Sequence, residues 1–108
     1  MINIQKMMQQ AQQMQFKLQE LQEKFKDVEV SGESGGGAVK VSMTCSGEVI
    51  ALSIEPSIID AANKDTLEDL VIAAVNNATA NKDQRIQDET KKMMTDMGMP
   101  ADTKLPPL

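Results

Sequence analysis

Four of the six glycines of this chain lie between residues 28 and 41, and their spacing resembles that of a phosphate-binding loop. Gly32 and Gly37 fit the start of the G-x-x-x-x-G-K-S/T motif, whose Lys and Ser or Thr reach the phosphates and magnesium. Here Ala38 and Val39 follow instead, and residues 38–45 alternate like a strand rather than opening a helix that would hold the anion. We therefore interpret residues 32–37 as a hairpin connection between two strands.

Few other residues are suited to catalysis. The chain has no His, which is the commonest general base and metal ligand. Its single cysteine, Cys45, can form neither a zinc site nor an internal disulfide. We expect Cys45 to be a small buried apolar residue, with a reactive thiol as the alternative. Carboxylate pairs such as Glu68-Asp69 and Asp88-Glu89 fall in helix-like segments, where solvated faces are the default. The sequence predicts a protein that is not an enzyme, with no metal and no cofactor.

Composition limits the core that this chain can build. Its 108 residues suit one domain, and 41% of them are apolar, with two Phe, nine Met and no Tyr or Trp. Met adapts to irregular gaps and to partners, so a self-sufficient core is not expected. No apolar run approaches the roughly 18 residues of a membrane span, and the N-terminus lacks the apolar centre of a signal peptide. We expect a cytosolic protein with no membrane partner and no small-molecule substrate.

The net charge of −5 is unevenly distributed. Residues 1–27 hold four lysines against three carboxylates, and residues 80–97 hold four basic against four acidic side chains. Residues 28–79 hold two lysines against eight carboxylates. The acidity therefore belongs to the middle of the chain, and the two outer segments are close to neutral.

The first segment has the pattern of a helix with a regular apolar seam. Eight apolar residues are spaced alternately by three and four, which is a heptad repeat that predicts packing against another helix, within the chain or in a dimer. The other faces carry eight glutamines, which are good helix formers. The seam consists of Ile4, Met7, Ala11, Met14, Leu18, Leu21, Phe25 and Val28.

Three strands are predicted next. Val28 and Val30 share one face of the first, and residues 39–45 alternate in the second. Ser46-Gly47 indicates a turn. Residues 48–54 are apolar at nearly every position, which suggests burial on both faces. In so small a chain a helix can cover one face, and a second subunit most simply covers the other, so we expect a homodimer.

A long helix completes the pattern. Pro56 ends the third strand and opens a short helical turn through residue 62. Asp65 or Thr66 offers a cap, with Glu68 following, and an apolar stripe begins at Leu67. The helix is predicted to run from residue 66 to 97, about 48 Å, with its second half projecting beside the first helix. Residues 1–98 form one predicted domain, and residues 99–108 a Pro-containing tail.

The predicted fold is α+β: a long N-terminal helix, a three-stranded antiparallel meander, a short helical turn and a long C-terminal helix. Two such chains form a two-layer dimer with projecting helical arms. The apolar residues of the second and third strands are assigned to the dimer interface: Val39, Val41, Met43, Val49, Ile50 and Leu52.

The order of these segments and several short sequences within them match a known family. The chain resembles the YbaB/EbfC-type nucleoid-associated DNA-binding proteins of bacteria over nearly its whole length. The Pro-rich end also fits. The resemblance is carried by residues 10–15 (QAQQMQ), 30–41 (VSGESGGGAVKV), 54–57 (IEPS), 67–71 (LEDLV) and 73–76 (AAVN).

The resemblance implies a homodimer with a sheet-centred body, whose helices project like tweezers and grip double-stranded DNA. It also implies a place in the cytoplasm, on the nucleoid, and a role in organising the chromosome or modulating gene expression. Many members carry Lys where this chain has Gln9, and a basic pair earlier than Lys82, so fewer phosphate contacts are expected here.

We predict that DNA is contacted by cations and glutamines of the two long helices, since lysines meet phosphates and Gln pairs with adenine edges. For each lysine an ordinary solvated helix face is the alternative, and for the glutamines helix propensity alone. A protein-interaction clamp that grips a partner helix or an unfolded segment is the rival function. The candidate DNA contacts are Lys6, Gln9, Gln10, Gln12, Gln13, Lys17, Lys24, Lys26, Lys82, Arg85, Lys91 and Lys92.

Overall fold

A computed structural model describes residues 3–98 of the chain. The predicted α+β order is confirmed, and the predicted tail, residues 99–108, lies outside the described residues. No helix within residues 3–98 is long and apolar enough to cross a membrane. The elements are helix α1 (Ile4–Phe25), strands β1 (Glu29–Ser34), β2 (Val39–Thr44) and β3 (Val49–Ile54), and helix α2 (Lys64–Asp96).

The sheet is an antiparallel meander in the order β1-β2-β3. The first connection is shorter than the sequence predicts: β1 continues through Gly32 to Ser34, and only Gly35–Gly37 form the turn. All three of these turn glycines have positive φ, which side chains disfavour. The prediction of a turn over residues 32–37 was therefore wrong for residues 32–34, which continue β1. The turn at Ser46-Gly47 is confirmed, with the Gly47 N–H donating to the Thr44 carbonyl.

Gly32 is a strand residue that the backbone of α2 crosses at very close range. A Cβ at this position would lie 2.6 Å from the Ala74 carbonyl oxygen and 2.7 Å from the Ala78 Cα. Ala74 and Ala78 are themselves fully buried. Small residues on both elements therefore let helix and strand approach until their backbones touch, and this contact fixes α2 on the sheet.

One core lies between β2 and the first half of α2. Val39, Val41 and Met43 alternate along β2, so they share one face, and all three are buried against Ala74 and Ala78. The apolar stripe predicted for the C-terminal helix is confirmed here. Partly buried residues complete the layer: Val30, Ile54, Ile58, Leu70, Val71 and Val75.

A second core joins the two helices. Leu21 and Phe25 of α1 are buried against Met93 and Met94 of α2, with Cys45 beneath them. Position 24 lies beside position 89, while position 17 shares a groove with position 96, so the helices run antiparallel. The prediction that the second half of the long helix lies alongside the first helix is confirmed. The described part of the chain is elongated, at 71 × 22 × 18 Å.

Most of the apolar strand β3 is uncovered within the protomer, and only Ile54 at its end packs against the core. We predicted that a helix covers one face, but α2 packs over β1 and β2. Val49, Ile50 and Leu52 remain 47%, 45% and 51% exposed. The continuous apolar run therefore reflects surface that this single chain leaves in water, because one helix is too narrow to cover three strands.

The two edges of the sheet differ. Val28 and Cys45 share a ladder hydrogen bond, so the alternate residues Ser31 and Glu33 turn their backbone groups away from β2. Two side chains of α2 meet them: the Glu33 N–H donates to Asn77 Oδ1 at 3.1 Å, and Asn81 Nδ2 donates to the Ser31 carbonyl at 2.7 Å. Helix α2 thus closes the outer edge of β1.

The segment that connects β3 to α2 contains two short helical turns where the sequence predicted one longer turn. Two 3₁₀ turns, Pro56–Ile58 and Ala61–Asn63, replace the single helical turn. Helix α2 begins at Lys64, so Asp65 lies in its first turn instead of capping it. The 3₁₀ turn ending at Asn63 feeds directly into the helix, and the predicted start was wrong by two residues.

Candidate nucleic-acid interface

All twelve predicted DNA contacts lie on one part of the molecule, which we call the arm and define as residues 4–27 and 82–96. Eight come from α1 and the residue after it, and four from the second half of α2. Their side chains are exposed, except that Lys82 is partly buried. The sheet and residues 64–81 form the body. The helix packing described above therefore collects candidates that lie far apart in sequence.

Five of the eight arm cations are engaged in ion pairs. Three pairs are local: Lys82, whose side chain is partly buried, lies 3.4 Å from Asp83, while Lys17 lies 3.7 Å from Glu20 and Lys26 lies 3.1 Å from Glu23, with all four of these last side chains more than half exposed. Such exposed pairs contribute little to stability and exchange readily. The other two involve Glu89, with Lys24 Nζ at 3.0 Å and Arg85 Nε at 3.2 Å.

Three arm cations have no carboxylate partner among residues 3–98: Lys6, Lys91 and Lys92. Lys91 and Lys92 lie near the end of α2, and Lys6 lies in the first turn of α1, whose cap is Asn3. Unpaired ammonium groups on a helix surface suit phosphate contacts, since no existing partner has to be displaced.

Glu89 differs from the other acidic residues of the arm. Its side chain is only 15% exposed, so the sequence prediction of a solvated face for Asp88-Glu89 was wrong for Glu89. The Lys24 ammonium, and secondarily the Arg85 guanidinium, hold its pKa below the usual range by hydrogen bonding, although burial opposes the shift. Glu89 is therefore ionised at neutral pH and links α1 to α2.

A groove of about 330 Å³ runs between the helices beside Glu89. Its lining is mixed in charge, with Lys17, Lys24 and Lys92 against Glu89 and Asp96. Leu21, Met93 and Met97 complete its walls. The helix packing thus brings three of the candidate lysines together, but two carboxylates offset most of their charge.

The four candidate glutamines lie in the N-terminal half of α1. Gln12 and Gln13 line a second groove with Phe16, Lys17, Asp96 and Met97. Gln10 and Gln13 also line a groove at the end of α2, beside Ala11, Met14 and Gly98. Their amides are exposed, as base or phosphate contacts require.

The same half of α1 leaves large apolar residues uncovered. The seam residues Leu21 and Phe25 are buried against α2, whereas Ile4 and Met7 are more than half exposed. Met8 and Phe16, which lie off the seam, are also more than half exposed. Among residues 3–98, α2 covers only the C-terminal part of the predicted seam, around Leu21 and Phe25.

The six predicted interface residues separate into two sets. Val39, Val41 and Met43 are at most 3% exposed, so they have no surface to offer a partner. They instead form the core under α2. The other three, which lie on β3, are about half exposed: Val49, Ile50 and Leu52.

The described residues hold no arrangement suited to a metal: no group of three or more Cys, Asp and Glu side chains converges within residues 3–98. Cys45 is buried, as expected, and burial raises the pKa of its thiol. A protonated, enclosed thiol is a poor nucleophile, which supports the apolar role over the reactive one.

Two comparisons with known proteins relate to this geometry. A family model described as the YbaB/EbfC DNA-binding family matches residues 1–97. A crystal structure of the uncharacterized protein HP0035 from Helicobacter pylori superposes with a TM-score of 0.72 at 23% identity. The alignment covers 87% of this chain and 99% of that one. At this identity, the structural likeness supports the fold and nothing more.

Proposed function

The chain belongs to the YbaB/EbfC DNA-binding family, and from that premise we propose that it is a homodimeric, non-enzymatic nucleoid-associated protein. It binds double-stranded DNA through its arms in the cytoplasm and organises the chromosome or modulates gene expression. The observation that carries this proposal is the separation of charge along the fold. The twelve candidate contacts lie on the arm, while the excess of carboxylates lies between residues 28 and 79, in the body.

Charge separation matters because a duplex is a dense line of phosphates. An acidic body repels DNA, so binding is directed to the near-neutral arms and, on them, to cations that have no carboxylate partner. Lys6, Lys91 and Lys92 supply phosphate contacts on this proposal. The exposed glutamines of α1 add contacts to phosphates or base edges.

A salt titration tests the DNA proposal directly. Fluorescence anisotropy with a labelled duplex should give a log K that falls linearly with log salt between about 50 and 200 mM. The slope should be about −0.9 per phosphate contact. Absence of any complex at low salt and micromolar dimer would overturn the proposal.

We propose dimerisation through β3 because the two edges of the sheet differ. Asn77 and Asn81 occupy the outer edge of β1. The Glu55 N–H donates to the Ala38 carbonyl, so by alternation Leu52 and Ile54 direct their backbone groups away from β2. An exposed apolar edge strand is normally paired or covered, and a second copy of β3 supplies both the ladder and the apolar cover.

Replacing Leu52 with Glu is expected to abolish the dimer, because it would place a charged carboxylate from each subunit in the proposed apolar interface between the β3 strands. Sedimentation should then give a species of 11.8 kDa in place of one about twice that mass. Phe16→Glu is the matched control, since it places the same charge on an exposed apolar residue of the arm. A wild-type chain that sediments at 11.8 kDa at micromolar concentration would contradict the dimer.

The exposed apolar residues of α1 favour a second candidate function. Ile4, Met7, Met8 and Phe16 suit a clamp for an amphipathic helix or an unfolded segment. The same titration separates the two functions: DNA binding weakens steeply with salt, whereas an apolar contact does not.

A further inference from the structure

Glu89 joins two cations that come from different helices. Its Oε2 lies 3.0 Å from Lys24 Nζ of α1, and its Oε1 lies 3.2 Å from Arg85 Nε of α2. Each oxygen therefore has its own cationic partner. The side chain is 15% exposed, whereas those of Lys24 and Arg85 are 52% and 46% exposed.

This arrangement neutralises charge where the proposed function needs it. The neighbouring groove already carries Lys17 and Lys92, and Glu89 lies on its wall. Without the Glu89 charge the groove would hold three ammonium groups against the single carboxylate of Asp96. Glu89 therefore removes half of the net positive charge that the packing of α1 and α2 would otherwise create in this groove.

The other ion pairs of the arm do not act in this way. Glu20 and Glu23 are more than half exposed and each meets one lysine. Water screens such pairs, and their lysines can turn to a phosphate at little cost. Glu89, by contrast, is partly enclosed, holds two cations and connects two helices.

Resting on the proposed DNA binding, we propose that Glu89 is a positioning residue that limits DNA affinity. It holds Lys24 and Arg85 against the arm and withholds their charge from the duplex. The same contact ties α1 to α2, so the arm keeps its shape at the expense of phosphate contacts. As a consequence, the protein binds DNA weakly enough to dissociate and rebind along the chromosome.

Glu89→Gln tests this inference. The amide is nearly isosteric and keeps a hydrogen-bond acceptor, while it removes the charge. We expect DNA to bind at least about tenfold more tightly at 0.1 M salt, with a salt slope steeper by about 0.9 per cation freed. A purely structural role predicts the opposite, because a loosened arm would bind DNA less well.

Glu23→Gln is the matched control, since it removes the same charge from an exposed pair on the same arm. It should change affinity by no more than about fivefold, the range of a surface ion pair. Adding Lys24→Gln tests the coupling between the two positions. Lys24→Gln should lower affinity strongly in the Glu89→Gln background and weakly in the wild type.

The outcomes separate the two proposals. If the wild type binds DNA with a steep salt dependence but Glu89→Gln binds no more tightly than Glu23→Gln, the inference is wrong and the proposed function stands. If the wild type binds no duplex, both are wrong. Should Glu89→Gln fail to fold by circular dichroism, the single variants Lys24→Gln and Arg85→Gln still decide. Each must leave wild-type affinity within about fivefold for the inference to hold.

Discussion

Replacing Gly32 with alanine is expected to destabilise the fold by about 3 kcal/mol or more. The new methyl group would meet the backbone of α2, at the Ala74 carbonyl and the Ala78 N–H and Cα. Backbone atoms cannot turn aside as a flexible side chain can, so helix and sheet must separate. That separation would also disturb the core of β2, since Val39 and Val41 pack against the same two alanines. Urea unfolding at fixed protein concentration measures the decrease in the free energy of unfolding.

Gly36→Ala is the matched control for this prediction. Gly36 has a φ of +67° in the hairpin turn, yet a Cβ there would meet nothing within 4 Å. It should cost about 1 kcal/mol, through backbone strain alone. Gly32 lacks a positive φ, so its larger effect would come only from the close approach. A Gly32→Ala destabilisation no larger than that of Gly36→Ala would show that α2 does not touch the strand as described.

Gly32 also shows where prediction from sequence stops. The cluster of glycines predicted one turn, and three of them do form it. Gly32 has a different reason for being glycine, namely a helix whose nearest residues lie more than 40 positions away. Local pattern reports local conformation well, which is why both hairpins and both helices were predicted close to their observed bounds. The local sequence pattern does not show which distant element packs across a strand.

The run in β3 was predicted to be buried on both faces, and the prediction that a helix covers one of them was wrong. Hydrophobicity predicts that Val49, Ile50 and Leu52 avoid water, but the identity of the covering element depends on how far α2 extends across the sheet. The buried residues of β2 were assigned to a partner for the same reason. Alternation identifies an apolar face without saying whether this chain or another lies on it.

The sequence predicted which residues of the candidate site lie on the two helices. It did not predict which of their cations pair with carboxylates. Arg85 and Glu89 are four apart on one helix, so their pairing follows from sequence. Lys24 and Glu89 are 65 positions apart, and only the antiparallel packing of α1 and α2 joins them. That packing therefore decides that Lys24 is engaged, which the sequence alone does not show.

The largest effect on DNA binding is therefore expected from the cations that packing leaves without a carboxylate. Replacing Lys91 and Lys92 together with glutamine removes four such charges from a dimer. The slope of log K against log salt should become shallower by about 0.9 for each phosphate that is no longer neutralised, up to about 3.6 in all. At 0.1 M salt the removal of each lysine–phosphate interaction should weaken binding on the order of tenfold. Anisotropy titrations at several salt concentrations measure both quantities.

The matched control removes the same charge from the body. Lys40 on β2 and Lys64 at the start of α2 are both exposed, and Lys40→Gln with Lys64→Gln makes the same change in net charge. If DNA lies along the arms, the body variant should shift affinity only through long-range repulsion, which salt screens beyond about 10 Å at 0.1 M. Equal decreases in affinity for the two double variants would mean that net charge, rather than the arm, determines binding. A larger decrease in the body variant would place the duplex on the sheet, against the excess of carboxylates found there.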